Sequence, residues 1–221
     1  MRVAALVPLA LLLAACGAST KAHSDGKTVV VAALGDSITS GSPGYDPDHG
    51  HAKLLGFGED PTSQWEYWAE RKHPSVRIRN CGVYGERTDQ IARRLLACQR
   101  GASVLVVQGG INDIAQGRPV AAAARNLRAI VHRGKALGLR VEIANVLPWN
   151  NGYPGDAGKI LALNRLIRRL ARDEGVSVLP FYETLDDPSR PGRMKEEWTA
   201  DGDHPSVAGY RRLGELAFRL P

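Results

Sequence analysis

Residues 29–34 read VVVAAL, and Gly35-Asp36-Ser37 follow without a break. Six apolar residues with no polar alternation suit a strand buried on both faces, as in parallel sheets covered by helices on either side. Working outward, the runs at 76–80, 104–108 (VLVVQ), 141–146 and 176–179 also read as strands, and 104–107 is likewise unbroken by polar residues. Longer amphipathic stretches separate them. This alternation predicts an α/β fold: a three-layer α/β/α sandwich around a five-stranded, mostly parallel sheet with right-handed crossovers. No internal repeat and no second domain is apparent.

The helical stretches carry recognisable ends. Ser63 and Glu66 have capping-box spacing ahead of Trp68. Thr88 is placed to cap a helix with Ile91, Leu95 and Leu96 on its apolar side. Pro119 precedes an alanine-rich run with Leu127, Ile130 and Val131, and Gly138 can end it. Ile160, Leu163, Ile167 and Leu170 line another helix, closed by Gly175. Ser206 caps the last, with Val207, Tyr210, Leu213, Ala217 and Leu220 facing inward. Two loops are long for a compact domain, 39–62 and 148–158 (PWNNGYPGDAG), and such loops are usually functional.

With 221 residues, 43% hydrophobic and 24% charged, the chain suits one globular domain with a full core. The formal charge of +6 could mark an anionic partner. However, Arg125, Arg128, Arg168, Arg169, Arg172, Arg211 and Arg212 are spread over several helices, as on solvated faces. No nucleic-acid module is recognisable, and nucleic acid is not an expected partner.

The first residues stand apart. Arg2 supplies a positive charge, and residues 3–13 are a nearly unbroken apolar run, short for a membrane span but suited to a signal peptide. The run ends in Leu13-Ala14-Ala15-Cys16, which resembles the lipobox of bacterial lipoproteins. The resemblance implies removal of residues 1–15, a lipid on the Cys16 sulfur, and anchoring to the membrane at the cell envelope. A plain secretory signal or an apolar first strand are the alternatives. Residues 16–27 read as a flexible tether, leaving 28–221 as the folded domain. Export would permit a disulfide between Cys81 and Cys98. The expected geometry opposes it: one cysteine ends a strand, the other ends the next helix, and about twelve helical residues span roughly 18 Å.

Four segments carry candidate chemistry, each after an expected strand or before the last helix. Gly35-Asp36-Ser37 offers a hydroxyl at the carboxyl end of the first strand, where open α/β sheets place their sites. Asp201-Gly202-Asp203-His204 places a carboxylate three residues before an imidazole, so that it can accept Nδ1–H and leave Nε2 free to take a proton. Asp203, next to the histidine, is expected to project elsewhere. Asn80-Cys81-Gly82-Val83-Tyr84-Gly85 and Gly109-Gly110-Ile111-Asn112-Asp113 could supply a backbone N–H and a side-chain amide to a developing oxyanion. Taken singly, each could be only a polar or glycine-rich turn.

Together, in this order, GDSITSG, NCGVYG, GGIND and DGDHPS resemble the blocks of the SGNH (GDSL-type) hydrolases, over about residues 29–218. The resemblance implies a flavodoxin-like sheet and a serine hydrolase cleaving carboxylic esters, with no cofactor and no metal. It makes Ser37 the nucleophile, His204 the general base and acid, and Asp201 its partner. The Ser37 N–H, the Gly85 N–H and the Asn112 amide would form the oxyanion hole. The substrate would be an ester, whether small molecule, lipid or acylated carbohydrate. An envelope acyltransferase or carbohydrate deacetylase on the same site, or a non-catalytic carbohydrate-binding lipoprotein, are the other readings. The absence of G-x-S-x-G speaks against the α/β-hydrolase elbow.

The remaining candidates are weaker. Asp46, Asp48, His49 and His51 could bind a metal, but a solvated loop fits better. Trp65, Tyr67 and Trp68 read as core packing. Trp149 and Tyr153 could line a pocket or anchor their loop, and His73 and His132 show no partner in the sequence.

Overall fold

The computed structural model describes residues 28–219. The signal segment, Cys16, the whole tether, Leu220 and Pro221 lie outside the described residues. In chain order the elements are β1 (Val29–Gly35), α1 (Ser37–Ser40), α2 (His49–Leu55), α3 (Trp65–Lys72), β2 (Val76–Gly82), α4 (Thr88–Cys98), β3 (Val104–Val107) and α5 (Ile111–Ala115). There follow α6 (Val120–Ala136), β4 (Arg140–Ala144), α7 (Asp156–Glu174), β5 (Ser177–Leu179), α8 (Phe181–Leu185) and α9 (Val207–Arg212), which runs on into a π-helical turn at Leu213–Ala217.

All five expected strands form, in the order β2-β1-β3-β4-β5, and every neighbouring pair is parallel. The apolar runs of β1 and β3 are continuous because alternate side chains enter two different cores. Val31, Ala33, Val104 and Val106 pack with Trp65, Phe181, Tyr210 and Phe218 on one side. Ala32, Leu34, Leu105 and Val107 pack with Ile91, Leu127, Ile130 and Leu163 on the other. Between β1 and β2 the chain crosses by way of α3 on the first side, and between β2 and β3 by way of α4 on the second. The order therefore reverses beside β1, and a crevice opens outside the carboxyl ends of β1 and β3, where such sheets bind ligands.

Several expected helix details are corrected. Residues 63 and 66 form no capping box: Pro61–Ser63 makes its own 3-10 turn capped by Asp60, and α3 begins at Trp65. The Ser63 hydroxyl is used instead on the Gly41 carbonyl, at 3.0 Å. Thr88 lies one residue inside α4, whose cap is Arg87, because its N–H and hydroxyl both go to the Asp113 carboxylate at 2.9 Å. Leu96 is 49% exposed rather than inward, and Val207 is also exposed. His132 does have a partner, Glu174, at 2.7 Å from its Nε2. Ser206 caps α9 as expected, accepting the Gly209 N–H.

The larger correction is covalent. Cys81 and Cys98 are disulfide-bonded, with Cα atoms 6.0 Å apart. The helix has about the expected length, 11 residues, but begins at a different height. Residues 83–87 carry the chain beyond the sheet edge before α4 begins beside α5. The last turn of α4, rather than its first, therefore comes down to the level of Cys81. Arg94, one turn before Cys98, already donates to the Cys81 carbonyl at 2.6 Å and to the Gly35 carbonyl at 2.9 Å.

Candidate active site

Ser37 opens α1 directly after β1, so the strand end fixes its position. Asp36 caps this short helix, its Oδ1 accepting the Ile38 N–H at 3.0 Å. The Asp36 N–H in turn donates to Gln108 Oε1 at 3.2 Å, tying the serine turn to the end of β3. Asp36 Oδ2 is buried with no hydrogen-bond partner among the described residues. Burial pushes its carboxyl up to about 6, against the lowering effects of the Ile38 N–H, Gln108 and the charge of His204. Ser37 itself is only 4% exposed.

The turn before α9 brings the imidazole to the serine. Asp201 folds back on it in one turn: Oδ1 accepts the N–H groups of Asp203 and His204 at 2.8 and 2.7 Å, and Oδ2 lies 2.8 Å from His204 Nδ1. On the other side of the ring, Nε2 is 3.1 Å from Ser37 Oγ. Partial burial alone would raise the Asp201 carboxyl. The bond to His204, the charge of that ring and the two backbone N–H groups outweigh it and bring the group down to about 2. Asp201 is therefore ionised throughout the neutral range.

The two donor candidates face the same space. Gly85 has φ +76°, which favours glycine, whereas the room around an added Cβ is open. Conformation, not close approach, is what requires glycine there. Asn112 Nδ2 donates one hydrogen to the Glu86 carbonyl at 3.0 Å, which orients the amide. Ser37, Gly85, Asn112 and His204 line one cavity of about 190 Å³, and Asp201 stands behind the ring. Ile38, Ile111, Ala115 and Trp149 supply apolar wall, and Tyr84 and Asp203 complete it.

Sequence reasoning missed Tyr84, whose ring centroid is 5.9 Å from that of His204. Asp203 projects away from the imidazole, as expected, and accepts the Trp149 indole N–H at 2.7 Å at the cavity rim. Trp149 is thus both pocket wall and loop anchor, while Tyr153 stacks on it edge-on from the exposed side. The suspected metal cluster is taken up locally: Asp48 caps α2, and His51 Nδ1 meets Asp46 Oδ2 at 3.0 Å.

Residues 33–212 match the family model described as GDSL-like lipase/acylhydrolase. The chain belongs to this family. This GDSL-family protein is a carboxylic ester hydrolase. It is 28% identical to Esterase TesA of Pseudomonas aeruginosa, over 93% of this chain and 94% of the relative. The fold is shared with a G-D-S-L family protein from Desulfitobacterium hafniense, at TM-score 0.69 and 21% identity, over 85% of this chain and 96% of that one. A member of the lipolytic G-D-S-L family from Veillonella parvula gives TM-score 0.66 and 20% identity, over 84% and 94%. No helix among the described residues is long and apolar enough to cross a membrane.

Proposed function

We propose that the protein hydrolyses carboxylic esters through an acyl-enzyme on Ser37. The observation that carries this reading is the line of contacts from Asp201 Oδ2 to His204 Nδ1 and from His204 Nε2 to Ser37 Oγ. Ser37 Oγ attacks the ester carbonyl and its proton passes to Nε2. The Ser37 N–H, the Gly85 N–H and the Asn112 amide receive the negative charge that develops on the carbonyl oxygen. The carbon–oxygen bond to the alcohol breaks, and the alcohol leaves with the proton from His204. Water then attacks the acyl group and gives one proton to His204; the bond from the acyl carbon to Ser37 Oγ breaks, His204 returns the proton to Oγ, and the acid departs. Ionised Asp201 holds the ring in the tautomer that leaves Nε2 free. The apolar wall of Ile38, Ile111, Ala115 and Trp149 suits the acyl side of the substrate.

Export fits the Cys81–Cys98 disulfide, since such bridges persist in oxidising compartments. The lipobox-like residues support a lipid on Cys16 and attachment at the cell envelope.

The test is hydrolysis of p-nitrophenyl esters of increasing chain length, run beside Ser37→Ala and beside labelling with a fluorophosphonate probe. Ser37-dependent turnover and label are expected. A folded protein that neither turns over any ester nor takes the label would overturn the reading. For the anchor, Cys16→Ser should move the protein from the membrane fraction to the soluble fraction; an unchanged distribution would count against lipidation.

A further inference from the structure

The turn that carries Asp201 and His204 lies at the surface, outside every long helix and strand, yet Nε2 needs to be held within about half an ångström of its working position. Its internal bonds give it a shape. The Ala200 N–H and the Thr199 hydroxyl both reach the His204 carbonyl, at 2.9 and 2.8 Å, and the Gly202 N–H reaches Thr199 Oγ1 at 2.8 Å. None of these fixes the turn against the sheet.

Three consecutive residues after β4 do. The Trp149 indole N–H donates to Asp203 Oδ1 at 2.7 Å, the Asn150 N–H to the Gly202 carbonyl at 2.9 Å, and Asn151 Nδ2 to the Asp201 carbonyl at 2.8 Å. Each donor takes a different residue of Asp201-Gly202-Asp203, the segment just before His204. The two pieces of chain are in close contact: a Cβ on Gly202, which has φ +87°, would stand 2.6 Å from the Asn151 amide. The donors are themselves anchored. The Asn150 side chain exchanges two bonds with the backbone of buried Met194, at 2.9 and 2.7 Å. Upstream, Asn164 of α7 brackets the N–H and carbonyl of Val146 at 2.8 and 2.9 Å.

We propose that Trp149, Asn150 and Asn151 form a clasp that positions the Asp201–His204 turn against Ser37, and that Trp149 links this clasp to the wall of the substrate cavity. The proposal rests on the reading of Ser37 and His204 given above. Asn150 and Asn151 are positioning residues, since neither touches the reacting atoms. Displacements of about an ångström at a reacting centre can cost a hundredfold in rate, so loosening one of three ties should cost less than that and more than nothing.

The experiment is a double-mutant cycle in the full chain with Trp149→Phe and Asp203→Ala, read as kcat and KM on a p-nitrophenyl ester. Asn151→Ala tests the second side-chain tie, and Asp203→Asn keeps an acceptor for the indole. Trp149→Phe, Asp203→Ala and Asn151→Ala should each lower kcat about tenfold while KM moves less than threefold. The Trp149→Phe/Asp203→Ala double variant should fall about tenfold, not a hundredfold, because both changes break one bond. Asp203→Asn should recover most of the rate, which a general loss of structure would not allow. Singles within twofold of the parent, multiplicative losses in the double, or equal losses in Asp203→Asn and Asp203→Ala would each overturn the clasp. Ser37→Ala separates the two readings: if it stays active, the assignment of the site falls and the clasp with it. If it is inactive while Trp149→Phe and Asn151→Ala are fully active, only the clasp falls. Should Trp149→Phe fail to fold, the Asn151→Ala and Asp203 variants decide the matter alone.

Discussion

His204 Nε2 lies 3.1 Å from Ser37 Oγ, although 167 positions separate the two residues in the chain. The serine is held by the end of β1 and the histidine by a turn before α9, so the contact exists only once the sheet has closed between them. Asp201, three residues before the histidine, needs no such closure, and its carboxylate meets the ring within a single turn.

Ser37→Ala and His204→Ala should each lower kcat by several orders of magnitude with the fold retained. Asp201→Asn should cost on the order of a thousandfold or more, because the amide no longer holds the required tautomer. Steady-state kinetics with circular dichroism checks both parts. Residual activity of Ser37→Ala at a tenth of the parent's would remove it as nucleophile.

If Asn112 belongs to the proposed oxyanion hole, Asn112→Ala should reduce kcat on the order of a hundredfold with little change in KM, since that charge develops only in the transition state. The bond from Nδ2 to the Glu86 carbonyl already orients the donor before substrate arrives. An equal rise in KM with unchanged kcat would make Asn112 a ground-state binding residue instead.

Replacing both cysteines by serine should destabilise the protein by about 3 kcal/mol, the size expected for a closed loop of this length. The bridge spans a sequence separation of 17 and encloses Tyr84 and Gly85, so kcat should fall as well. Urea unfolding and thiol titration are the measurements. Two freely titrating thiols in the untreated protein would show the bridge to be absent.

Glu142 in β4 is buried, and one of its oxygens has no partner among the described residues. Burial pushes its carboxyl up to about 7 from an ordinary 4.5, partly offset by Arg140. Between those values the folded state holds more protons than the unfolded state, so stability falls as pH rises through this window. Glu142→Gln should flatten the fall and raise stability above pH 7 by up to about 3 kcal/mol. Parallel stability curves from pH 4 to 8 for the two proteins would disprove this.

Much of the molecule is legible before folding is considered. The five strand segments, the caps at Ser206 and Gly175 and the inward stripe of α7 follow from local periodicity and end chemistry, which need no knowledge of neighbours. Ser63 and Glu66 show the limit. Their spacing fits a capping box, but Pro61 starts a turn of its own and the Gly41 carbonyl, 22 positions away, claims the serine hydroxyl. Thr88 is drawn one residue into α4 by Asp113 in the same way.

By itself the sequence determined the alternation of five strand segments with helices, which implies a mostly parallel sheet, and the four segments that contain the serine, glycine, asparagine and histidine. These depend on hydrophobic period and on which residue types stand at which positions. Only the tertiary structure decided that Cys98 returns to the level of Cys81, that Trp149 and Asp203 share a bond at the cavity rim, and that residues 149–151 grip the histidine turn. Each of these depends on the height and angle at which one element meets another, and packing of the two cores sets those quantities for the chain as a whole.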